Sequence, residues 1–587
     1  MPGLPRKEGL VVLFLGLALS VETCSQKSPS QPLQPDETSD YTEAVTVDGS
    51  VADVSLTDTA IREEDLRDAP EELVPGPDSA EEMAEEILNG VVPAPTGACA
   101  EPPTVVAEPG FEPGNECSDG NDIHWDGCTS GKITEFRVND RWCGQQGTPR
   151  VRGLGADSYA IIWEHFGPEY DNITIRGKVF HQDGEGEEFS VAAPVGFNTA
   201  SPDLAVLPSG QLVAVWGAAK LDSDTKPWSV QGRLLSSTGE PLGGCFQVNS
   251  FKPDHFSFPQ LAPIGNAGRF VVVWESCPPC LSPDDPYWDG CVGQDGNGCG
   301  IIAQLFDSQG NKMGSEFVVN DYTIGHQSSP TASPLVDVGV IVGWMSDGAY
   351  FYADAMSQIL APDGTELLTS EVLFDENQSN FAPHFAGTSK LLLAVWDNTP
   401  CSMEVPCGPM TSDNPPPGMD GEDMGVTGAW LEFQSGAFTL ETVFHVNPVV
   451  ERDQRYGDAV ALSNGQFAVV WMSGQKTAGG PGLYGCVLTA MEDGCKNQFR
   501  VDSYPVGAFS RPRLAALGEA RFVIAWSSIS SSIVLDPMPP GQDGDGRGVF
   551  AQVFDHNGNR LWKNCNDGAC GADETCSTCP LDCGQCP

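Results

Sequence analysis

Asp289, Asp295 and Asn297 in WDGCVGQDGNG, Asp420 and Asp423 in MDGEDM, and Asp543 and Asp545 in GQDGDGRG stand in acidic, glycine-rich stretches. Hard oxygens at alternate positions, with glycine at the sharp turn, are what Ca2+ takes, so these residues are candidate ligands for structural Ca2+. None of the three stretches carries the terminal bidentate glutamate that an EF-hand loop needs at fixed spacing, and plain turn chemistry explains the same residues. His255, His326 and His384 offer imidazoles that a transition metal would accept. They share no common register, and separate loop histidines are the better reading.

Other reactive arrangements are missing. The chain has no G-x-S-x-G elbow, no H-E-x-x-H pair, no P-loop and no Rossmann glycine pattern. Paired carboxylates for glycoside hydrolysis can be nominated anywhere among 81 acidic residues, so no single pair is informative. No catalytic residue is assigned, no cofactor beyond Ca2+ is expected, and binding is expected over catalysis. The formal net charge of −51 argues against nucleic acid and anionic membrane surfaces, which require clustered Lys and Arg.

Twenty cysteines are hard to keep reduced and idle in a cytosolic protein, and they read as disulfides formed in an oxidising compartment. Close spacing pairs Cys277 with Cys280, Cys401 with Cys407 and Cys486 with Cys495, with Cys291 and Cys299 nearby. Cys565, Cys570, Cys576, Cys579, Cys583 and Cys586 crowd a C-terminal module too cramped for a zinc ribbon. Too short to build an apolar core, it needs disulfides to hold it. At the other end, Arg6 and Lys7 precede an apolar run from Leu10 to Leu19, which fits a signal-peptide core and is too short to span a bilayer.

These candidates must be positioned by something, and the chain supplies a repeated word. An apolar run ending in tryptophan recurs at Trp163, Trp216, Trp274, Trp344, Trp396, Trp471 and Trp526. Around each lie four strand-like segments, A to D, clearest as PQLAPI, FVVVWE, GIIAQLFD and EFVVN in the third unit. The continuous apolar B run implies burial on both faces, whereas alternation in C implies one less covered face. Gly-containing turns such as DSQGNK and DHNGNR join C to D as antiparallel hairpins. Four strands per unit, seven times over, predict a seven-bladed β-propeller in an all-β fold.

The ends of the repeat are out of phase, as a closed ring requires. The seventh unit runs from its C segment into cysteine-rich sequence without a D segment, while KITEFRVN, Lys132 to Asn139, has the D pattern and precedes the first A segment. Pairing it beside Arg547 to Asp555 would hide an edge that otherwise invites aggregation. Long, cysteine-bearing, acidic insertions fall between B and C in the third and fifth units, which places them on one rim, where binding loops usually lie. The seven tryptophans, at the ends of buried strands, read as packing elements and not as sugar platforms.

The resulting domains are a signal peptide (1–23), a disordered acidic linker (24–115), a cysteine-rich clasp (116–131), the propeller (132–562) and a disulfide-rich tail (563–587). The linker is too polar to bury a core. Cys24, just after the signal core, resembles the lipidated cysteine of bacterial lipoproteins, although Glu22 and Thr23 depart from that pattern. The clasp, NECSDGNDIHWDGC with Cys117 and Cys128, resembles a cysteine-rich repeat of secreted myxobacterial proteins, and the tail resembles small cysteine-rich elements of secreted bacterial proteins. These resemblances imply a secreted or outer-surface lipoprotein of a bacterium, a β-propeller repeat protein. The expected role is adhesion or recognition of a protein or glycan ligand through the long-loop face, by a monomer. The alternatives are a polysaccharide hydrolase with acidic residues at the channel, and a passive surface scaffold.

Overall fold

The computed structural model describes residues 135–561, less several internal segments, the longest being 278–292, 400–423, 503–510 and 529–546. Cys24, the clasp, the tail cysteines and most of the long insertions therefore lie outside the described residues. Within them are seven antiparallel sheets and no α-helix. Blade 1 is Gln145–Gly153, Tyr159–Phe166, Ile173–His181 and Phe189–Ala192, and blade 3 is Gln260–Ile264, Arg269–Ser276, Gly300–Phe306 and Lys312–Val318. The A strands of consecutive blades touch each other all the way round, and that of blade 7, Arg513–Ala516, touches that of blade 1. They form the inner wall of a closed seven-bladed propeller.

Closure is the expected one. Phe136 pairs with Ala551 and Arg137 with Phe550, so the N-terminal strand supplies the outer strand of blade 7. Arg560–Leu561 pairs with the other half of the same C strand, opposite Phe554 and Val553, so the outer position is shared between the two ends of the repeat. Asn139 Oδ1 accepts from the Val549 amide at 2.8 Å. Arg560 then donates to the carbonyls of Arg500, Val501 and Asp502, tying the seam to blade 6.

Six blades repeat one steric bargain. A small residue in strand C faces phenylalanine in strand D: Gly177 with Phe189, Gly232 with Phe246 and Ala303 with Phe317. Gly428 with Phe444, Gly485 with Phe499, and Ala551 with Phe136 across the seam complete the set. A Cβ on Gly232 would stand 2.5 Å from the Phe246 ring, so the glycine leaves room for the aromatic to lie across the strand.

The core is seven wedges between neighbouring sheets, each centred on buried B and C strands. The seven B-strand tryptophans are no more than 2% exposed, as packing elements should be. The C strands depart from expectation. Gly300–Phe306 and Gly548–Phe554 are buried at every position, because blades on both sides cover them. The less covered strand is D, exemplified by Lys312–Val318 at the outer edge of the ring.

The described disulfides join Cys277 to Cys299 and Cys486 to Cys495. The second pairing follows the sequence spacing and the first does not: Cys277 ends strand B and Cys299 precedes strand C, so the hairpin brings them together. Cys280, Cys291, Cys401 and Cys407 lie outside the described residues.

Candidate functional site: a ring of variable residues on the channel wall

A tripeptide recurs thirteen to fifteen residues before each tryptophan: TPR, SPD, FPQ, SPT, APH, YGD and RPR. Its last member opens the regular inner strand, giving Arg150, Asp203, Gln260, Thr331, His384, Asp458 and Arg513 at equivalent positions around the channel. The register of strand A slips just before this residue in blades 1, 2, 4 and 6. At the first member of the tripeptide Thr148, Ser201, Phe258, Ser329 and Tyr456 have φ of 45°, 51°, 33°, 54° and 62°. Non-glycine residues in this region are strained, and the cost recurs around the wall.

Carboxylates one residue past the tryptophan hold these bulges from the preceding blade. Glu164 accepts from the Ser201 amide at 2.6 Å, Glu275 from the Ser329 amide at 3.0 Å, and Asp397 from the Tyr456 and Gly457 amides at 2.7 and 3.0 Å. Burial raises the Glu164 and Asp397 carboxyls above the usual range, against the pull of these amides. A second latch lies at the end of strand D, where Asn139, Asn320 and Asn447 each donate to a glutamine of the next inner strand, Gln146, Gln327 and Gln454.

The ring residues reach toward the following blade. Arg150 and Arg152 lie 3.6 and 3.0 Å from Asp203, whose other oxygen accepts from the Leu261 amide at 2.9 Å. His384 lies 3.5 Å from Asp458, whose other oxygen accepts from the Leu514 amide at 3.3 Å. Thr331 donates to the Pro383 carbonyl at 2.6 Å. Arg511 lies over the Tyr456 ring at 4.9 Å.

Charge is concentrated on one arc. Arg150 and Arg152 in blade 1 and Arg511 and Arg513 in blade 7 lie in one another's field. Burial, reinforced by Arg513, lowers Arg150 to about 9, which leaves it charged at neutral pH. Burial likewise holds His384 down to about 4, with Arg513 and Arg150 opposing its protonation and Asp458 favouring it. His384 is therefore a neutral imidazole at neutral pH within the field of arginines from blades 7 and 1.

Of the candidate Ca2+ ligands, Asp295 and Asn297 are described; Asp289, Asp420, Asp423, Asp543 and Asp545 lie outside the described residues. Asp295 accepts from the Asn297 amide and from the Asn320 side chain, at 3.1 and 3.0 Å. Among the described residues a buried Glu275, Cys277 and Cys299 also cluster, but the two sulfurs are a disulfide and not thiolate ligands. His326 and His384 start inner strands and sit apart, and His255 is outside the described residues. His326 Nδ1 accepts from the Cys299 amide at 3.2 Å, a structural role.

Sequence reasoning missed the four arginines. The signal was present, since a proline or glycine stands thirteen to fifteen residues before each tryptophan. Reading the residue after it in all seven units exposes the ring.

No protein-family model matches the chain and no curated protein matches its sequence. Solved structures similar to it include an ulvan lyase of polysaccharide lyase family PL25, at 9% identity, TM-score 0.42, and coverage of 72% of this chain and 96% of the lyase. The BP39L lectin from Burkholderia pseudomallei matches at 9% identity and TM-score 0.42 over 71% of this chain and 98% of the lectin. The Penicillium chrysogenum α-L-arabinanase matches at 12% identity and TM-score 0.35 over 61% and 98%. These are likenesses of overall architecture alone.

Proposed function

We propose that this chain is a secreted or surface-held binding protein that recognises a carbohydrate at the mouth of its channel, on the rim from which the inner strands start and the long insertions emerge. The observation that carries the reading is the ring itself. The blades repeat one scaffold, strained at its first member in five of them, yet its tip is Arg, Asp, Gln, Thr, His, Asp and Arg. A scaffold kept at a cost while its tip varies is what a recognition surface needs.

Binding is favoured over hydrolysis by how the ring carboxylates are used. Asp203 faces two guanidinium groups and a backbone amide, and Asp458 an imidazole and a backbone amide. General acid and base work needs a carboxyl left for the substrate. The two disulfides fit an oxidising compartment. The test is a glycan array with the full chain, followed by an assay for new chain ends on every glycan retained. Retention without cleavage is expected; catalytic release of chain ends would overturn the reading.

A further inference from the structure

We infer that the rim of tight turns carries a binding site for a small aliphatic amino acid, in a cleft between blades 3 and 4 where Arg269 takes the carboxylate and Asp337 the ammonium group. The site is separate from the channel mouth and does not rest on the carbohydrate reading above.

Three turns build the cleft. Ile264 and Arg269 pair across the A–B turn of blade 3, Leu335 and Gly339 pair across that of blade 4, and Pro362 stands in the C–D turn of blade 4, where the Gly364 amide donates to the Ala361 carbonyl. A Cβ on Gly265 would lie 3.4 Å from the Pro362 side chain, so the two blades come together there. The cleft holds about 270 Å³, just below the usual range of ligand pockets, roughly 300–1,000 Å³, which restricts it to a small molecule. Ile264, Ala267, Val338 and Pro362 supply apolar surface along it.

Arg269 departs from its equivalents in the ring. It stands five residues before Trp274, as Gln211, Gln466 and Arg521 stand before the tryptophans of blades 2, 6 and 7. Each of those three side chains is engaged by its own A–B turn. Gln211 accepts from the Ser209 hydroxyl at 3.0 Å, Gln466 accepts from the Asn464 side chain, and Arg521 donates to the Gly518 carbonyl at 3.3 Å. The Arg269 side chain, half-buried, has no hydrogen-bond or ion-pair partner among the described residues. Asp337 is exposed on the blade 4 side and is likewise unpaired among the described residues, so two opposite charges line one cleft without meeting. A guanidinium fork matches a planar carboxylate, and a carboxylate matches an ammonium group. Separated charges of both signs beside an apolar wall describe an α-amino acid with an aliphatic side chain. The formal net charge of −51 repels a simple anion at long range, whereas a zwitterion with no net charge escapes that repulsion.

The test is a saturation-transfer NMR titration of the full chain with valine, valinamide and N-acetylvaline. Valinamide lacks the carboxylate and N-acetylvaline lacks the ammonium group, so each should bind at least about tenfold more weakly than valine, as loss of a charge-assisted contact does. Arg269→Gln should bind valine as weakly as the parent binds valinamide, and Asp337→Asn as weakly as the parent binds N-acetylvaline. Arg269→Lys, which keeps the charge but not the fork, should fall between the parent and Arg269→Gln. Gln466→Ala, at the equivalent position of blade 6, should bind valine as the parent does. Thermal melts of each variant establish that it folds, and should one fail to fold, the three titrations of the parent still decide. No binding of valine by the parent, valinamide or N-acetylvaline bound as well as valine, or valine bound equally by the parent and by Arg269→Gln overturns the site. Each of these results leaves the outcome of the glycan array untouched, so the two readings fail separately.

Discussion

The arc formed by blades 7 and 1 and the arc formed by blades 3 and 4 share one backbone design and differ in chemistry. Both place the last residue of the tripeptide on the channel wall, and both belong to a ring whose strain recurs, at Thr148 on the first arc and at Phe258 and Ser329 on the second. On the second arc the tips are Gln260 and Thr331, which are content with backbone carbonyls of their own and the next blade. On the first the tips are Arg513 and Arg150, flanked by Arg511 and Arg152 and balanced in part by Asp203. The fold therefore needs the bulge and tolerates a neutral tip. Charge at this position is an addition to the scaffold, not a requirement of it.

The contrast can be broken most severely at Asp203. Asp203→Ala leaves Arg150 and Arg152 buried without their carboxylate and the Leu261 amide without its acceptor, at an expected cost of about 3–5 kcal/mol. Gln260→Ala on the quiet arc should cost no more than about 1 kcal/mol, because the partner it loses is its own neighbour's carbonyl. Equilibrium urea unfolding of the two variants measures the difference; equal losses would erase the distinction between the arcs.

His384 supplies a sharper, pH-dependent test. Its ordinary value of 6.5 applies to the unfolded chain, while in the fold burial and the arginines hold it to about 4. Between those values the unfolded state binds more protons, so this contribution is complete above about pH 6.5 and is lost as pH falls toward 4. Full loss corresponds to roughly 3 kcal/mol. His384→Gln should flatten that part of the stability profile relative to the parent. Glu164 and Asp397, raised by burial, act with the opposite sign, favouring the fold as pH drops toward their values, so the difference between variant and parent isolates the imidazole. A profile unchanged by the substitution would place His384 away from the arginine field.

The seam beside the charged arc offers a smaller effect. Asn139→Ala removes the acceptor for the Val549 amide and the donor to Gln146, and should cost about 1–3 kcal/mol. Asn320→Ala breaks the corresponding latch within the continuous chain, from Ile301 to Gln327. Because Asn139 also fastens the ends of the ring, its variant should exchange the amides of blade 7 faster than Asn320→Ala exchanges those of blade 3, as read by hydrogen exchange. Equal exchange would show that closure adds nothing to the latch.

Much of this architecture was legible in the chain. The tryptophan repeat counted the blades, because a tryptophan buried between two sheets leaves a local apolar signature wherever it occurs. The phase shift at Phe136 predicted closure, because an unpaired edge is costly in any arrangement of the blades. The site was legible only in part. His384 is a lone imidazole in sequence, and its partner Asp458 lies one blade further on. Arg150 and Arg513 stand at opposite ends of the repeat and read as isolated cations in an acidic protein.

By itself, then, the sequence determined the strands, their number per unit and the ring they close, since these follow from local periodicity and from pairing that repeats. It also determined that Cys486 meets Cys495 across nine positions. The tertiary structure alone decided that Cys277 meets Cys299, that the C strands are covered on both faces, and that four arginines share one arc. Each of those depends on which segments the closed ring makes neighbours, and electrostatic and steric proximity across it is set by the angle of the blades, not by distance along the chain.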